Sequence, residues 1–385
     1  MRNTLKRVIL IGTLIVSIVM SFYTIGEYYF HAEGDNSIRL EGLKKEEPYS
    51  LDIAMIGPSD IFYSVAPGAV YEYTNLTSYV YGISSARINM YKTMLNNILE
   101  TQNPKLLIVE VHGICYKMMN ELDDYGYAMR TLYDSMPYSV RKLKEIDYAF
   151  GKNEYDLFSF VFPKTFYHGI GFIDNIQYKK RSQKSFLDSL NFLPLRGAYT
   201  LTGQYYPDDP IKRFENCVVP IGKETERYLV DFLEYCKEIE YDNILFINVP
   251  TIVEKSKPNE VTYMANYIGK IIQSYGYDFV NFQYAVDDIG IDYYSDYCNT
   301  GHMNIYGQEK FTKYLSDYIP NHYDLEPTFL SAEAQKSWEY STKAYHIYYS
   351  YADEMIKQNK KCNLYDSPEF IEYLKQQLGE EGLVK

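Results

Sequence analysis

Apolar and polar positions along this chain fall into three regimes. From Val8 to Tyr23 no charged residue interrupts an apolar run, which continues to Gly26 and is preceded by Arg2, Lys6 and Arg7. About 20 apolar residues at about 1.5 Å of rise each span a bilayer, so residues 1–32 are expected to form an N-terminal transmembrane anchor with its flank. The basic side should stay cytoplasmic by the positive-inside rule, with everything after it outside. A cleaved signal peptide is the competing reading, but no small-x-small site follows the apolar core. Residues 33–50 are polar and charged and read as a short linker.

From Leu51 the pattern changes to strand, turn and helix in repetition, the sign of an α/β domain built on a parallel sheet, expected over residues 51–325. Short apolar runs predict strands at Leu51–Ile56, Ser78–Tyr81, Lys105–Val111, Asn243–Val249 and Tyr277–Phe282. Apolar residues at helical spacing predict helices at Ala86–Glu100, Glu224–Glu240, Asn259–Ser274 and Tyr306–Ile319. Between the third and fourth strands, residues 115–219 lack this alternation. So long a connection is rarely structureless, and it reads as a cap or insertion over the strand ends. Residues 326–385 carry helical spacing in Ser331–Lys357 and Pro368–Leu378, a C-terminal helical tail for packing or for a protein partner.

Composition narrows the partners. The 385 residues are 46% hydrophobic, and the net charge of −13 argues against nucleic acid, which needs a field of Lys and Arg. A neutral sugar or a cationic group is easier to accommodate. The 44 tyrosines against one Trp supply rings with polar tips, suited to amphipathic packing surfaces. Five scattered cysteines (Cys115, Cys217, Cys236, Cys298, Cys362) form no CxxC pair and give no disulfide framework. No HExxH, Walker loop or GxGxxG after a strand is present, so neither metal nor cofactor is expected.

Candidate chemistry begins at Gly57-Pro58-Ser59-Asp60. The first predicted strand ends there in a turn, and open α/β sheets place their reactive groups at the carboxyl ends of strands. A serine needs a base, a group to hold that base, and donors for the oxyanion that develops. His302 follows the last predicted strand and precedes an amphipathic helix, which puts it at the same sheet edge as Ser59. The other histidines (His31, His112, His168, His322, His346) read as structural side chains.

Together these stretches resemble the SGNH (GDSL-like) hydrolases and acyltransferases. Gly57-Pro58-Ser59-Asp60 is similar to the family's first block, with Ser59 in the nucleophile position. Tyr79-Val80-Tyr81-Gly82 is similar to the second, whose glycine amide joins the Ser59 amide in an oxyanion hole. The run His302-Met303-Asn304-Ile305-Tyr306-Gly307-Gln308-Glu309-Lys310-Phe311 resembles the last block of a bacterial, membrane-tethered branch. That branch includes proteins similar to the D-alanyl transfer protein of teichoic acid modification and to polysaccharide O-acetyltransferases. The resemblance implies a three-layer, flavodoxin-like fold with a central parallel sheet and catalysis without a cofactor. It also implies a cell-envelope enzyme that attacks an acyl ester of a glycan or related polymer, as hydrolase or as transferase.

Three departures stand beside it. The family's acid lies three residues before the histidine, where this chain has Asn299; Asp296 and Asp292 are the carboxylates within reach if the loop bends, and a Ser–His pair alone is the remaining option. The third block's asparagine is missing after Lys105–Val111, where His112-Gly113 stands, and His112 is either a substitute donor or a plain strand-end histidine. Pro58 offers no N–H. Losing one oxyanion donor costs about 2.7–4 kcal/mol of transition-state stabilisation, so the alternative function is a catalytically impaired scaffold that binds a glycan or a partner protein.

Overall fold

The computed structural model describes residues 2–29, 35–116, 124–150, 194–257, 260–360, 372–373 and 376. Its centre is a sheet of five parallel strands: β1 (Ile53–Gly57), β2 (Ser78–Gly82), β3 (Leu106–Glu110), β4 (Ile244–Asn248) and β5 (Asp278–Asn281). Their order across the sheet is β2-β1-β3-β4-β5. The first four are buried along their whole length, as a parallel sheet covered on both faces requires.

Period-two side-chain alternation divides the core between the two faces. On one face Ile53, Met55, Val80, Ile108 and Ile247 pack with α3 (Ser59–Ser64), α4 (Pro67–Thr74), α11 (Val286–Ile289), α12 (Ile305–His322) and α13 (Ala332–Lys357). On the other, Ala54, Ile56, Leu107, Val109 and Phe246 pack with α5 (Ile88–Leu99), α6 (His112–Cys115), α9 (Lys223–Glu238) and α10 (Val261–Ser274). Periodicity explains these helices: α9 buries Thr225, Tyr228, Leu229, Phe232, Leu233 and Cys236, one continuous stripe.

The connection from β1 runs outward to β2, and the next one crosses back over to β3. The carboxyl ends of β1 and β3 therefore flank the point where chain direction across the sheet reverses, the crevice in which open sheets bind ligands.

Two regions differ from the sequence reading, and in a third the structure takes one of its two alternatives. The segment expected as a linker holds α2 (Asp35–Leu43), whose Asn36, Arg39, Leu40 and Leu43 are buried. It is polar by composition and internal by bonding: Arg39 Nε donates to Gly82 O at 3.0 Å, and its guanidinium lies 3.7 Å from the centre of the Phe62 ring. Secondly, α7 (Asp124–Asp134) and α8 (Val140–Phe150), within the expected cap, bury Ala128, Leu132 and Ile146 in the layer of α5. Residues 151–193, the middle of that expected insertion, lie outside the described residues.

Thirdly, the tail helix is committed to this chain. α13 buries Ala334, Trp338, Ser341, Ala344, Tyr345, Tyr348, Ala352 and Ile356, and a Cβ on Gly68 of α4 would stand 2.6 Å from Ser341 O. The buried Arg196 joins Glu46, Ser341 (2.9 Å) and Ser337 (2.7 Å) and lies over the Trp338 ring. Most of the second expected tail helix, Pro368–Leu378, lies outside the described residues. At the other end, α1 (Arg2–Tyr29) contains Thr4–Ser21, of mean hydropathy 1.8 and unburied. Among the described residues it is the one helix long and apolar enough to cross a membrane, by length and composition.

Candidate active site

Ser59 owes its position to the residues before it. β1 ends at Gly57 with φ +155°, where a Cβ would stand 2.7 Å from Glu110 Cβ, so the ends of β1 and β3 approach this closely because the residue is glycine. Pro58 then serves as the extended N-cap and Ser59 opens α3. The hydroxyl is half-buried, and its Oγ lies 2.8 Å from His302 Nε2. The two residues are 243 positions apart, and the structure brings them into hydrogen-bond contact.

His302 is held by a closed loop. The Tyr297 hydroxyl donates to Pro250 O at 2.8 Å, Cys298 N donates to His302 O at 2.9 Å, and Asn304 N donates to Asp296 O at 2.9 Å. Asn304 also secures the following helix. Its side-chain oxygen accepts from Tyr306 N and Gly307 N, capping α12, while its amide nitrogen donates to Ser295 O and Gly203 O. Gly307 is required because a Cβ there would stand 2.4 Å from Asp296 O. The Tyr63 ring, one turn after Ser59 on α3, lies 4.6 Å from the imidazole centre. Burial holds His302 below the ordinary histidine pKa; the Asp60 charge opposes that shift and the His112 charge adds to it.

Asn299 is the residue on the second ring nitrogen, with Nδ2 3.1 Å from His302 Nδ1. Its Oδ1 accepts from Gly301 N and His302 N, both at 2.9 Å. Asp296, the alternative orienting group if the loop bends, is not there. It is buried with its carboxylate on Lys310 Nζ (2.6 Å), the Ser295 hydroxyl (2.7 Å) and Asp292 N (2.8 Å). The loop turns it toward the start of α12 to meet Lys310, and bonding to these three donors makes it a structural acid. Asp292 accepts from Tyr294 N within its own turn.

Asp60 and His112, which spacing alone did not connect, form a buried ion pair with Asp60 Oδ1 2.7 Å from His112 Nδ1. His112 is thus a structural histidine, with a charged partner that its place after the strand did not reveal. Burial works against both charges, but each stabilises the other: Asp60 is held below the usual carboxylate range and His112 is pushed up to about 9. Beneath them Glu110 accepts from His112 N at 2.8 Å and from Val249 N at 3.4 Å. Burial, and then the Asp60 charge, push Glu110 up to about 8. Tyr116 stacks on the His112 ring at 5.0 Å and 10°, its hydroxyl 3.2 Å from Nε2. Both ring nitrogens of His112 therefore have partners. An acid directly after Ser59 and a histidine just past the neighbouring strand were the available sequence signals.

Gly82 closes β2 in register with Gly57, at the same sheet edge as Ser59. A Cβ on it would stand 2.8 Å from the Phe62 ring, so α3 packs directly onto it. Among the described residues no group of three or more His, Cys, Asp or Glu could hold a metal ion. Comparison of the chain with protein-family models, with curated proteins and with solved structures returned no match.

Proposed function

We propose that this chain is a membrane-anchored, extracytoplasmic serine esterase or O-acyltransferase of the SGNH type, acting on acyl esters of a cell-envelope glycan or related polymer. The observation that carries the reading is the 2.8 Å approach of His302 Nε2 to Ser59 Oγ at the carboxyl edge of a parallel sheet. Ser59 attacks the acyl carbonyl and its proton passes to His302. The Ser59 and Gly82 amides receive the oxyanion. Collapse of the tetrahedral intermediate expels the leaving alkoxide, which takes the proton from His302, and an acyl-Ser59 ester remains. Water or a sugar hydroxyl then resolves that ester by the same steps in reverse. Support for the glycan as substrate and for the site lying outside the cytoplasm comes from the block resemblance and from α1 with its basic flank.

A second reading, a scaffold that keeps the fold and binds a glycan or a partner protein, is favoured by Asn299, which sets an amide where a triad needs a charge. Fluorophosphonate labelling and acyl-ester turnover of the full chain and of Ser59→Ala separate the two. Labelling and turnover lost in the variant support the enzyme; a folded wild-type chain that never labels at Ser59 supports the scaffold.

A further inference from the structure

The Asn299–His302 contact determines where the imidazole proton sits. An asparagine side chain has one acceptor atom and one donor group. The atom that faces two backbone N–H groups, Gly301 N and His302 N at 2.9 Å each, has to be the oxygen, because an NH2 accepts nothing. The group 3.1 Å from His302 Nδ1 is therefore the NH2, and Nδ1 meets it with a lone pair. A neutral imidazole carries one N–H, which leaves the proton on Nε2, 2.8 Å from Ser59 Oγ.

We propose that Asn299 is a tautomer lock: it holds the resting His302 with its proton on Nε2, so that the imidazole donates to Ser59 instead of accepting from it. Proton removal from Ser59 needs the opposite tautomer, with the Nε2 lone pair toward Oγ and the proton on Nδ1. Turning the Asn299 amide over does not release the lock, because its NH2 would then face both backbone N–H groups and lose both bonds. The imidazolium is disfavoured as well, since its Nδ1–H would face the Asn299 NH2. An aspartate in the same place would take the backbone N–H groups on one oxygen and an Nδ1–H on the other, which inverts the tautomer. Asn299 is thus a positioning residue that attenuates the dyad, an inference that rests on the serine-acyl reading above.

The test uses the full chain in detergent, labelled with 15N-histidine, with His302→Gln to assign the ring signals. The lock predicts that His302 is protonated at Nε2 in the wild type and at Nδ1 in Asn299→Asp; Asn299 is exposed, so this exchange leaves the core untouched. Fluorophosphonate labelling at Ser59 should rise in Asn299→Asp by as much as ~10⁴-fold, the factor lost when a serine protease has its triad aspartate exchanged for asparagine. Asn299→Ala removes the donor and should show a mixture of tautomers. A wild-type His302 protonated at Nδ1 overturns the lock. An inverted tautomer in Asn299→Asp with labelling no faster leaves the lock standing and removes the serine-acyl reading instead.

Discussion

The carboxylate of Asp60, one residue past the candidate nucleophile, bonds His112 Nδ1 at 2.7 Å and leaves His302 to an amide. The formal charges nearest the dyad are thus arranged as a neutralised pair beside it, while the dyad itself is uncharged. Removing His112 would strand a buried carboxylate.

His112→Asn is accordingly expected to cost about 3–5 kcal/mol of stability, the range for breaking a buried pair from one side. The double variant Asp60→Asn/His112→Asn should recover a large part of that loss, read from urea denaturation as a double-mutant cycle. Additive losses in the cycle would show that the two side chains are not coupled.

Stability should fall as pH rises from about 4.5 to about 9. Glu110 has its folded pKa raised from 4.5 to about 8 and His112 from 6.5 to about 9. The folded state therefore binds more protons than the unfolded chain across this window. Stability contributed by His112 is complete below 6.5 and lost through 9, and Glu110 adds the same sign between 4.5 and 8. His302, lowered from 6.5, and Asp60, lowered from 3.8, act oppositely near and below their ordinary values. Glu110→Gln should flatten the acidic half of the profile, measured as denaturation midpoints across pH.

Asp296→Asn is expected to weaken the fold without changing the His302 tautomer, because its carboxylate bonds Lys310, Ser295 and the Asp292 amide. Lys310 is part-exposed, so the cost should be roughly 1–3 kcal/mol, between surface and buried pairs. A shifted His302 ring signal in this variant would return Asp296 to the site.

Gly57→Ala should destabilise the fold by on the order of 1–3 kcal/mol or more, through a positive φ and a Cβ set 2.7 Å from Glu110 Cβ. Because Gly57 sets the direction in which Ser59 leaves β1, labelling at Ser59 should fall further than stability alone accounts for. Unchanged labelling in the folded variant would count against that role.

Much of this architecture was already legible in the chain. Every predicted strand overlaps an observed one, Ser78–Tyr81 against Ser78–Gly82 and Asn243–Val249 against Ile244–Asn248 among them. The reason is local: a strand buried on both faces needs a short continuous apolar run between turn residues. The same logic, applied to carboxyl ends of parallel strands, puts Ser59 and His302 at one edge. Residues 35–43 escaped it because Arg39 is buried against Gly82 O and the Phe62 ring, partners far along the chain that no local pattern reveals.

Sequence by itself determined the five strands, the longer covering helices α5, α9, α10, α12 and α13, and the shared sheet edge of Ser59 and His302, since each follows from apolar periodicity or from a position relative to a strand end. Tertiary structure alone decided which polar group meets which. Asp60 and His112 are 52 residues apart, and Asp296 and Asn299 lie on one short loop within three positions of each other. A loop closed by Asn304 and Lys310 sends the acid inward and leaves the amide on His302. Hydrogen bonds depend on direction over a few tenths of an ångström, and spacing along a chain does not carry that information.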